Sequence, residues 1–258
     1  MIVSAHTNHK PVDVPLPIFD VIAATHRERT EKYRVVTQPD HAILSGKVAA
    51  ALDRRRFPFL DEELLEGIAY HDSGWFEVDG AAPSPKMPPT EADGKLRSFL
   101  TTSPEISLGA WSRSIDGAVR IGARAGSMVS RHFATIAQYR LNLQIDGPED
   151  VQRLQDFLRR ESARNAHLGP GNSESGEALR VLQFCDQISL YLSCGSRQAA
   201  VFPMRFGDEP VQVQWRGESV EIRNVSLSPV EVTLPAYEWR SGSDQLRFQP
   251  IGIDLRSA

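Results

Sequence analysis

The adjacent residues His71 and Asp72 are the first candidates for chemistry in this sequence. They end a helix-like run, residues 61 to 75, in which four residues recur at helical spacing: Leu64, Leu65, Ile68 and Asp72. An aspartate on that apolar face needs a partner, because burying an unpaired carboxylate costs on the order of several kcal/mol. A metal ion would satisfy both side chains, since imidazole and carboxylate together suit Zn, Mn, Fe or Ni.

Three other predicted helices place ligand-type side chains on apolar faces. In residues 38 to 52, where Asp40 is expected to cap a helix, His41 begins a stripe that continues through Leu44, Val48 and Leu52. Asp186 lies within an apolar run, on a face shared with Leu179, Leu182, Ser189 and Leu192. In a helix predicted over residues 117 to 140, His132 shares a stripe with Ala125, Val129 and Ile136. We therefore expect His41, His132 and Asp186 to point inward.

Taken in order, His41, His71-Asp72 and Asp186 resemble the H…HD…D pattern of the HD superfamily of helical, metal-dependent phosphohydrolases. The likeness to a branch of unassigned function extends to QPDHA at 38 to 42, HDSGW at 71 to 75, the loop from Pro83 to Phe99, and DQISLYLSCG at 186 to 195. The resemblance implies a helical fold in which His41, His71, Asp72 and Asp186 hold one or two divalent transition-metal ions (Mn, Fe, Zn or Ni).

His132 and His167 bear on the number of ions, because some members of that superfamily hold a second metal with two further histidines. We expect His132 to bind a second ion, to support a ligand or to contact phosphate. His167 lies about 100° from the apolar stripe of the helix predicted at 150 to 168, just before a Gly-Pro-Gly stop, so we expect no ligand role. Solvent exposure is expected for the histidines of the polar N-terminal region, His6, His9 and His26.

Composition is ordinary for a globular enzyme of 258 residues, with 41% hydrophobic and 24% charged residues. A net charge of −4 gives no reason to expect nucleic acid or an acidic membrane as partner. No apolar stretch reaches the roughly 18 residues of a membrane span, and no signal sequence is evident, so we expect a cytoplasmic protein. Cys185 and Cys194 are too far apart on one helix to form a disulfide. Assembly into a homo-oligomer stays open.

The organisation of the chain changes near residue 200. Before it, helices alternate with turns; after it come alternating β-like runs, at 211 to 215, 219 to 225, 230 to 234 and 246 to 253. Residues 1 to 3 and 33 to 38 are also strand-like. We predict a mainly α fold: an HD-like helical bundle over residues 1–199, with a small C-terminal β appendage, residues 200–258, packed on the helical core.

The proline-rich loop 80 to 99 directly follows the His-Asp pair and is expected to cover the substrate. Lys86, Lys95 and Arg97 could meet phosphate oxygens, and Trp75 could stack on a base or sugar ring. The alternatives are a rigid connector with solvated charges for the loop and a place in the core for Trp75.

The chemistry expected from these residues is metal-dependent hydrolysis of a phosphorylated small molecule or nucleotide. The metal ion would polarise a phosphoryl oxygen and acidify water. Asp72 and His132 are the candidate catalytic residues, and His132, or a carboxylate such as Asp79, would move a proton, worth about 10²- to 10⁴-fold in rate. Two alternatives stay open: a di-iron oxygenase of the HD type, which counting metals would distinguish, and a non-catalytic HD module that binds a ligand.

Overall fold

Helices and strands alternate in the first quarter of the chain. Later in the chain, most of the helices come first and most of the strands follow them. A computed structural model describes residues 1–5, 12–28, 30–91, 94, 96–169 and 173–258; His6, His9 and Lys95 lie outside these. The helices are α1 (Ile18–Arg27), α2 (Gln38–Ala51), α3 (Glu62–Ala69), α4 (Phe76–Asp79), α5 (Pro104–Ile121), α6 (Ala123–Leu143), α7 (Pro148–Leu168) and α8 (Ser173–Cys194). The strands are β1 (Ile2–Ala5), β2 (Val12–Pro17), β3 (Lys32–Val36), β4 (Gly80–Ala81), β5 (Ser84–Pro85), β6 (Gln198–Arg205), β7 (Pro210–Arg216), β8 (Ser219–Arg223), β9 (Val230–Leu234), β10 (Tyr237–Arg240), β11 (Leu246–Phe248) and β12 (Ile251–Ser257).

The strands form two substantial sheets, so the prediction of a mainly α, HD-like bundle with a small β appendage is wrong. Half of the structure is helix and a quarter is strand. One sheet is mixed and six-stranded, in the order β2-β6-β7-β8-β12-β9, and the other is antiparallel, in the order β1-β3-β10-β11. The prediction failed because strands from the two ends of the chain pair with one another and enlarge both sheets.

Strand β3 shows how the chain ends are joined. Its residue Val35 pairs with Val3 of β1 on one side and with Tyr237 of β10 on the other. In the larger sheet, Leu16 of β2 pairs in parallel with Ala200 of β6. The division into domains at residue 200 stays a prediction, but the sheets combine strands from both sides of it.

Local strand predictions in the C-terminal part are confirmed where the sequence alternates. Strand β7 buries Val211, Val213 and Trp215 on one face, and Gly217, at a positive φ of 62°, makes the turn to β8. The run at 246 to 253 is two strands, β11 and β12, in different sheets. A core of buried apolar side chains extends from the six-stranded sheet into the helices, and a second cluster, which includes Val3, Val35 and Trp239, lies at the four-stranded sheet.

Helix α2 begins at Gln38, two residues before the predicted cap. Thr37, rather than Asp40, caps it, since Thr37 Oγ1 accepts a hydrogen bond from the Asp40 amide at 3.1 Å. The Asp40 side chain instead accepts a bond from the Thr37 hydroxyl at 2.6 Å. Helix α2 packs against α8, which brings the faces that carry His41 and Asp186 together.

The helix predicted over residues 117 to 140 is two helices, α5 and α6, separated at Gly122. The carboxylate of Glu63 in α3 accepts hydrogen bonds from the first amides of α6, at Arg124 (2.7 Å) and Ala125 (3.0 Å). A Cβ at position 122 would lie 2.2 Å from that carboxylate, so the glycine permits the cap. His132 and Ala125 remain buried on one face of α6.

The helix that was predicted to run through Asp72 ends at Ala69. Residues 70 to 72 form a turn, and residues 73 to 75 a short 3₁₀ helix that packs on α5. The 3₁₀ helix approaches α5 closely at Gly74, where a Cβ would lie 2.0 Å from the Ala110 carbonyl oxygen. The Gly74 amide donates to Ser114 Oγ at 2.9 Å, which fixes the turn against α5.

Two smaller expectations concern the whole chain. Cys185 and Cys194 are buried and free, as predicted from their spacing. Among the described helices, none combines the length and the apolar character that crossing a bilayer requires.

Candidate metal centre

Four of the predicted ligands meet at one point between α2, α8 and the turn after α3. The ligand atoms of His41, His71, Asp72 and Asp186 all lie within 4.8 Å of one another, and the group could hold a metal ion. His41 Nε2 is 3.0 Å from Asp186 Oδ1 and 3.6 Å from Asp72 Oδ2. His71 Nε2 is 3.5 Å from Asp186 Oδ1 and 3.6 Å from Asp72 Oδ2.

A backbone carbonyl fixes the orientation of His71. Its Nδ1–H donates to the carbonyl oxygen of Ile68 at 2.8 Å. The ring is fully buried and its Nε2 has no hydrogen-bond partner among the described residues, so the deprotonated ring would present a lone pair towards the two carboxylates. A histidine that metal binds is commonly held in this way through its other nitrogen.

A serine fixes the orientation of His41, as the Ile68 carbonyl oxygen does for His71. The Ser189 hydroxyl donates to the Asp186 carbonyl oxygen at 2.8 Å, so it is free to accept from His41 Nδ1, 2.6 Å away. Ser45 Oγ lies 2.7 Å from Ser189 Oγ and completes the network. With the proton on Nδ1, the Nε2 lone pair of His41 also faces a carboxylate oxygen. Two acceptors this close would be held together by a cation between them, either a proton or a metal ion.

The electrostatics of the group favour a positive charge at its centre. Burial would lower the pKa of His71, but the charges of Asp72 and Asp186 raise it to about 9. Burial would raise the pKa of Asp186, but the neighbouring imidazoles of His41 and His71 hold it well below its usual range. Burial raises the pKa of Asp72. Two carboxylates and two imidazole nitrogens suit a divalent transition-metal ion.

His132 lies beside this group and outside it. Its Nε2 is 3.9 Å from Asp186 Oδ2, and its ring centre is 5.5 Å from that of His71. Burial lowers the pKa of His132 to about 4, against the opposing effect of the Asp186 charge, so the ring is neutral near pH 7. Its Nδ1 is buried without a partner among the described residues. The structure thus leaves a neutral imidazole next to the four ligands.

A cavity of about 200 Å³ opens from the group towards the surface, and we call it the channel. Its inner wall includes His41, Asp72, His132 and Asp186. Trp75, which is 2% exposed, also lines it, and the indole Nε1 has no partner among the described residues. Gln38, at the start of α2, lines the channel with its Oε1 likewise unpartnered.

Among the described cationic side chains of the loop, neither Lys86 nor Arg97 lines the channel. Lys86 is exposed and donates to the Glu77 carbonyl oxygen, and Arg97 pairs with Glu91 at 2.8 Å. These hydrogen bonds hold Lys86 against α4 and Arg97 against its own loop, which the sequence did not reveal.

The other candidates also lie apart from the four ligands. Asp79 is buried, but its Oδ2 accepts from the Gln38 amide at 3.0 Å and lies 2.9 Å from the Met1 amino group. His167 is exposed near the end of α7. His26, which was expected to be exposed, is half-buried, with Ser98 Oγ 3.3 Å from its Nδ1 and the Phe99 ring edge-on at 5.7 Å. Burial lowers its pKa to about 4.

Sequence reasoning missed the serines and the glutamine that support the site. Ser189 was noted only as a member of the Asp186 face, and Ser45 and Gln38 were not singled out. The available signal was spacing, since Ser189 follows Asp186 by three residues and Ser45 follows His41 by four. Gln38 begins its helix one turn before His41, but no local pattern distinguishes it from an ordinary first-turn residue.

Comparison with known proteins corrects the resemblance drawn from the motif. No HD-domain family model matches the chain, so the assignment to the HD superfamily is wrong. The H…HD…D order has no fixed spacing and does not by itself distinguish families. The chain also matches no curated protein and no solved structure. The model that does match covers residues 25–240, most of the chain, and it shows that the protein belongs to DUF3891, a family described as protein of unknown function.

Proposed function

We propose that this protein is a metal-dependent hydrolase that removes the phosphoryl group from a phosphorylated small molecule. The observation that carries the proposal is the channel, which ends on four ligand atoms within 4.8 Å of one another. A buried cluster of this kind, with a neutral histidine and unpartnered polar atoms beside it, is typical of a catalytic site.

His41, His71, Asp72 and Asp186 would hold one divalent ion, and their two nitrogen and two oxygen donors fit Mn, Fe, Zn or Ni. The fit rests on the unpartnered Nε2 of His71 and on the close approach of His41 Nε2 to Asp186. When bound, the ion would supply positive charge at the phosphoryl oxygens and make a nearby water more acidic.

Residues beside the four ligands would bind the phosphoryl group and accept the proton. The Trp75 indole N–H, which lacks a partner, would donate to a phosphoryl oxygen. The Gln38 Oε1 would accept from a protonated phosphoryl oxygen or from water. His132 is neutral near pH 7 and would accept the proton of the attacking water.

The reaction balances without a further reagent. Water forms a new bond to phosphorus, and the ester P–O bond breaks with its electron pair on the leaving oxygen. His132 takes the proton from water and returns it to that oxygen. The products are an alcohol and inorganic phosphate.

The test uses full-length protein purified without chelator. We expect one divalent ion per chain and turnover of phosphomonoesters. Asp72→Asn keeps the shape of the side chain and removes its charge, so bound metal should fall strongly while the protein stays folded. His132→Gln should keep its metal and lose about 10²- to 10⁴-fold in kcat. The exposed His167→Gln is the matched control and should behave as wild type.

Three outcomes would overturn the proposal. Full metal occupancy in both Asp72→Asn and His71→Gln would remove the metal site. A metal-loaded protein that hydrolyses none of the phosphomonoesters would favour a ligand-binding role. Two irons per chain with a spectral change that depends on oxygen would favour an oxygenase.

A further inference from the structure

The wall of the channel changes character from the metal centre to the surface. At the inner end the lining is polar, with His41, Asp72, His132 and Asp186. The more exposed side chains of the lining are mostly apolar and come from α6, α8 and the segments beside them: Leu100, Ile136, Tyr139, Leu143, Ile145 and Leu190. A ligand that fills the channel therefore meets polar atoms at one end and hydrocarbon at the other.

Several apolar side chains at the mouth are exposed to solvent. Ile145 is 70% exposed and Tyr139 62%, and Leu100 and Leu143 are each nearly half exposed. Single exposed apolar residues are common, but a cluster around the mouth of a cavity is typical of a binding surface. The cluster lies where the outer part of a bound molecule would leave the channel.

The channel offers no unpaired lysine or arginine among its described lining residues. Arg140 is the one lysine or arginine in the described lining, and it is paired. Its Nε and Nη2 each donate to Asp146 at 2.8 Å, and its Nη1 donates to the Thr102 carbonyl oxygen at 3.0 Å. The carboxylate neutralises the guanidinium, so the described wall provides no free positive charge for a chain of phosphates.

We propose that the channel selects phosphomonoesters of apolar alcohols, alkyl or aryl, over nucleotides. This inference rests on the proposed function, because it assumes that the ligand carries a phosphoryl group. One phosphoryl group would lie among the polar atoms at the inner end, and the hydrocarbon part would lie along the outer wall. A nucleoside triphosphate would bring further charges and a polar sugar to a wall that has few partners for either.

Binding can be measured without turnover by using alkylphosphonates, in which a P–C bond replaces the ester bond. Full-length, metal-loaded protein is titrated calorimetrically with methylphosphonate, butylphosphonate and hexylphosphonate. Each methylene that enters the channel should tighten binding by about fourfold, the value expected for burying one CH₂. Hydrolysis of hexyl phosphate, phenyl phosphate, AMP and ATP is measured in parallel.

Ile145→Ser tests the outer wall, and Val14→Ser is the matched control. Val14 is exposed to a similar degree, 68%, but lies on β2 and does not line the channel. Ile145→Ser should weaken hexylphosphonate binding several-fold and leave methylphosphonate binding unchanged. Val14→Ser should change neither.

The outcomes separate this inference from the proposed function. Affinity that does not depend on chain length, or a kcat/KM for AMP or ATP above that for hexyl phosphate, would overturn the inference and leave phosphate hydrolysis intact. Tight, chain-length-dependent binding without hydrolysis of any ester would support the apolar channel and overturn the hydrolase.

Discussion

Replacing Ser189 with alanine tests whether the hydrogen bond behind His41 prepares it to bind metal. Ser189 Oγ is 2.6 Å from His41 Nδ1 and donates to the Asp186 carbonyl oxygen. In Ser189→Ala, the buried Nδ1–H loses its acceptor, and the ring is free to rotate or to change tautomer. Rotation would turn the Nε2 lone pair away from the metal position, and a change of tautomer would place a proton on Nε2.

The expected magnitude follows from what is left unpaired. Leaving the buried N–H of His41 without an acceptor should lower the free energy of unfolding by about 1–3 kcal/mol. Removing the group that orients a metal-binding histidine should weaken metal affinity by about 10- to 100-fold, which corresponds to about 1.4–2.7 kcal/mol.

Ser193→Ala is a closely matched control. Ser193 is one helical turn farther along α8, is equally buried, and has an Oγ without a partner among the described residues. The gain in helix propensity from serine to alanine is common to Ser189→Ala and Ser193→Ala and cancels in their comparison. We expect Ser193→Ala to be neutral or slightly stabilising, with unchanged metal affinity.

The assay has two parts. Urea unfolding in the presence of a chelator gives the free energy of unfolding of the metal-free protein, and competition with a metal indicator gives the dissociation constant. If Ser189→Ala and Ser193→Ala bind metal with the same affinity, the reasoning about the orientation of His41 is refuted, whatever happens to stability.

Three further predictions concern other parts of the molecule. Burial holds the pKa of His26 at about 4, against 6.5 in the unfolded chain. The contribution of neutral His26 to stability is therefore complete above pH 6.5 and is lost as the pH falls towards 4, by about 3 kcal/mol in all. In urea unfolding at pH 7.5 and at pH 4.5, the free energy of unfolding of His26→Gln should fall less between the two pH values than that of wild type. Gly74→Ala should destabilise by about 1–3 kcal/mol or more, because its Cβ would overlap the backbone of α5. Gly176→Ala, in open space on α8, should stabilise by up to about 1 kcal/mol, and equal melting temperatures would contradict the packing argument. Lys86 and Arg97 do not line the channel, so alanine at either position should leave kcat/KM within about twofold of wild type. This is well under the tenfold change that corresponds to 1.4 kcal/mol. A larger loss would indicate that the side chain contacts the substrate.

The sequence predicted three of the four candidate ligands because each is a polar side chain within an apolar pattern. His41 and Asp186 lie on the buried faces of α2 and α8, where the cost of burying them implies a partner. The helical period and the residue types identified His41, Asp72 and Asp186 as polar side chains on apolar faces. The H…HD…D order added His71 and joined the four residues into one set, although the family that suggested this order proved to be wrong.

The sheets could not be predicted to the same degree, since the pairing of strands is not encoded locally. Alternation indicated β7, β8 and β9 correctly, but nothing in β3 specifies that β10, about 200 residues later, will pair with it. Strand β2 was missed, as it contains prolines and is exposed along its length. The channel was missed for a related reason, because six separate segments contribute to its wall.

Adjacent histidine and aspartate side chains converge on one point most readily where a helix ends before them. In a continuing α-helix, successive side chains point about 100° apart, which directs two neighbours towards different surroundings. The structure resolves this by ending α3 at Ala69. The turn then brings His71 Nε2 and Asp72 Oδ2 within 3.6 Å of each other. Helical spacing alone placed Asp72 inward and left the direction of His71 unexplained. A polar pair followed by Ser73-Gly74, at the end of an amphipathic run, is therefore better interpreted as a turn that converges on a ligand than as the last turn of a helix.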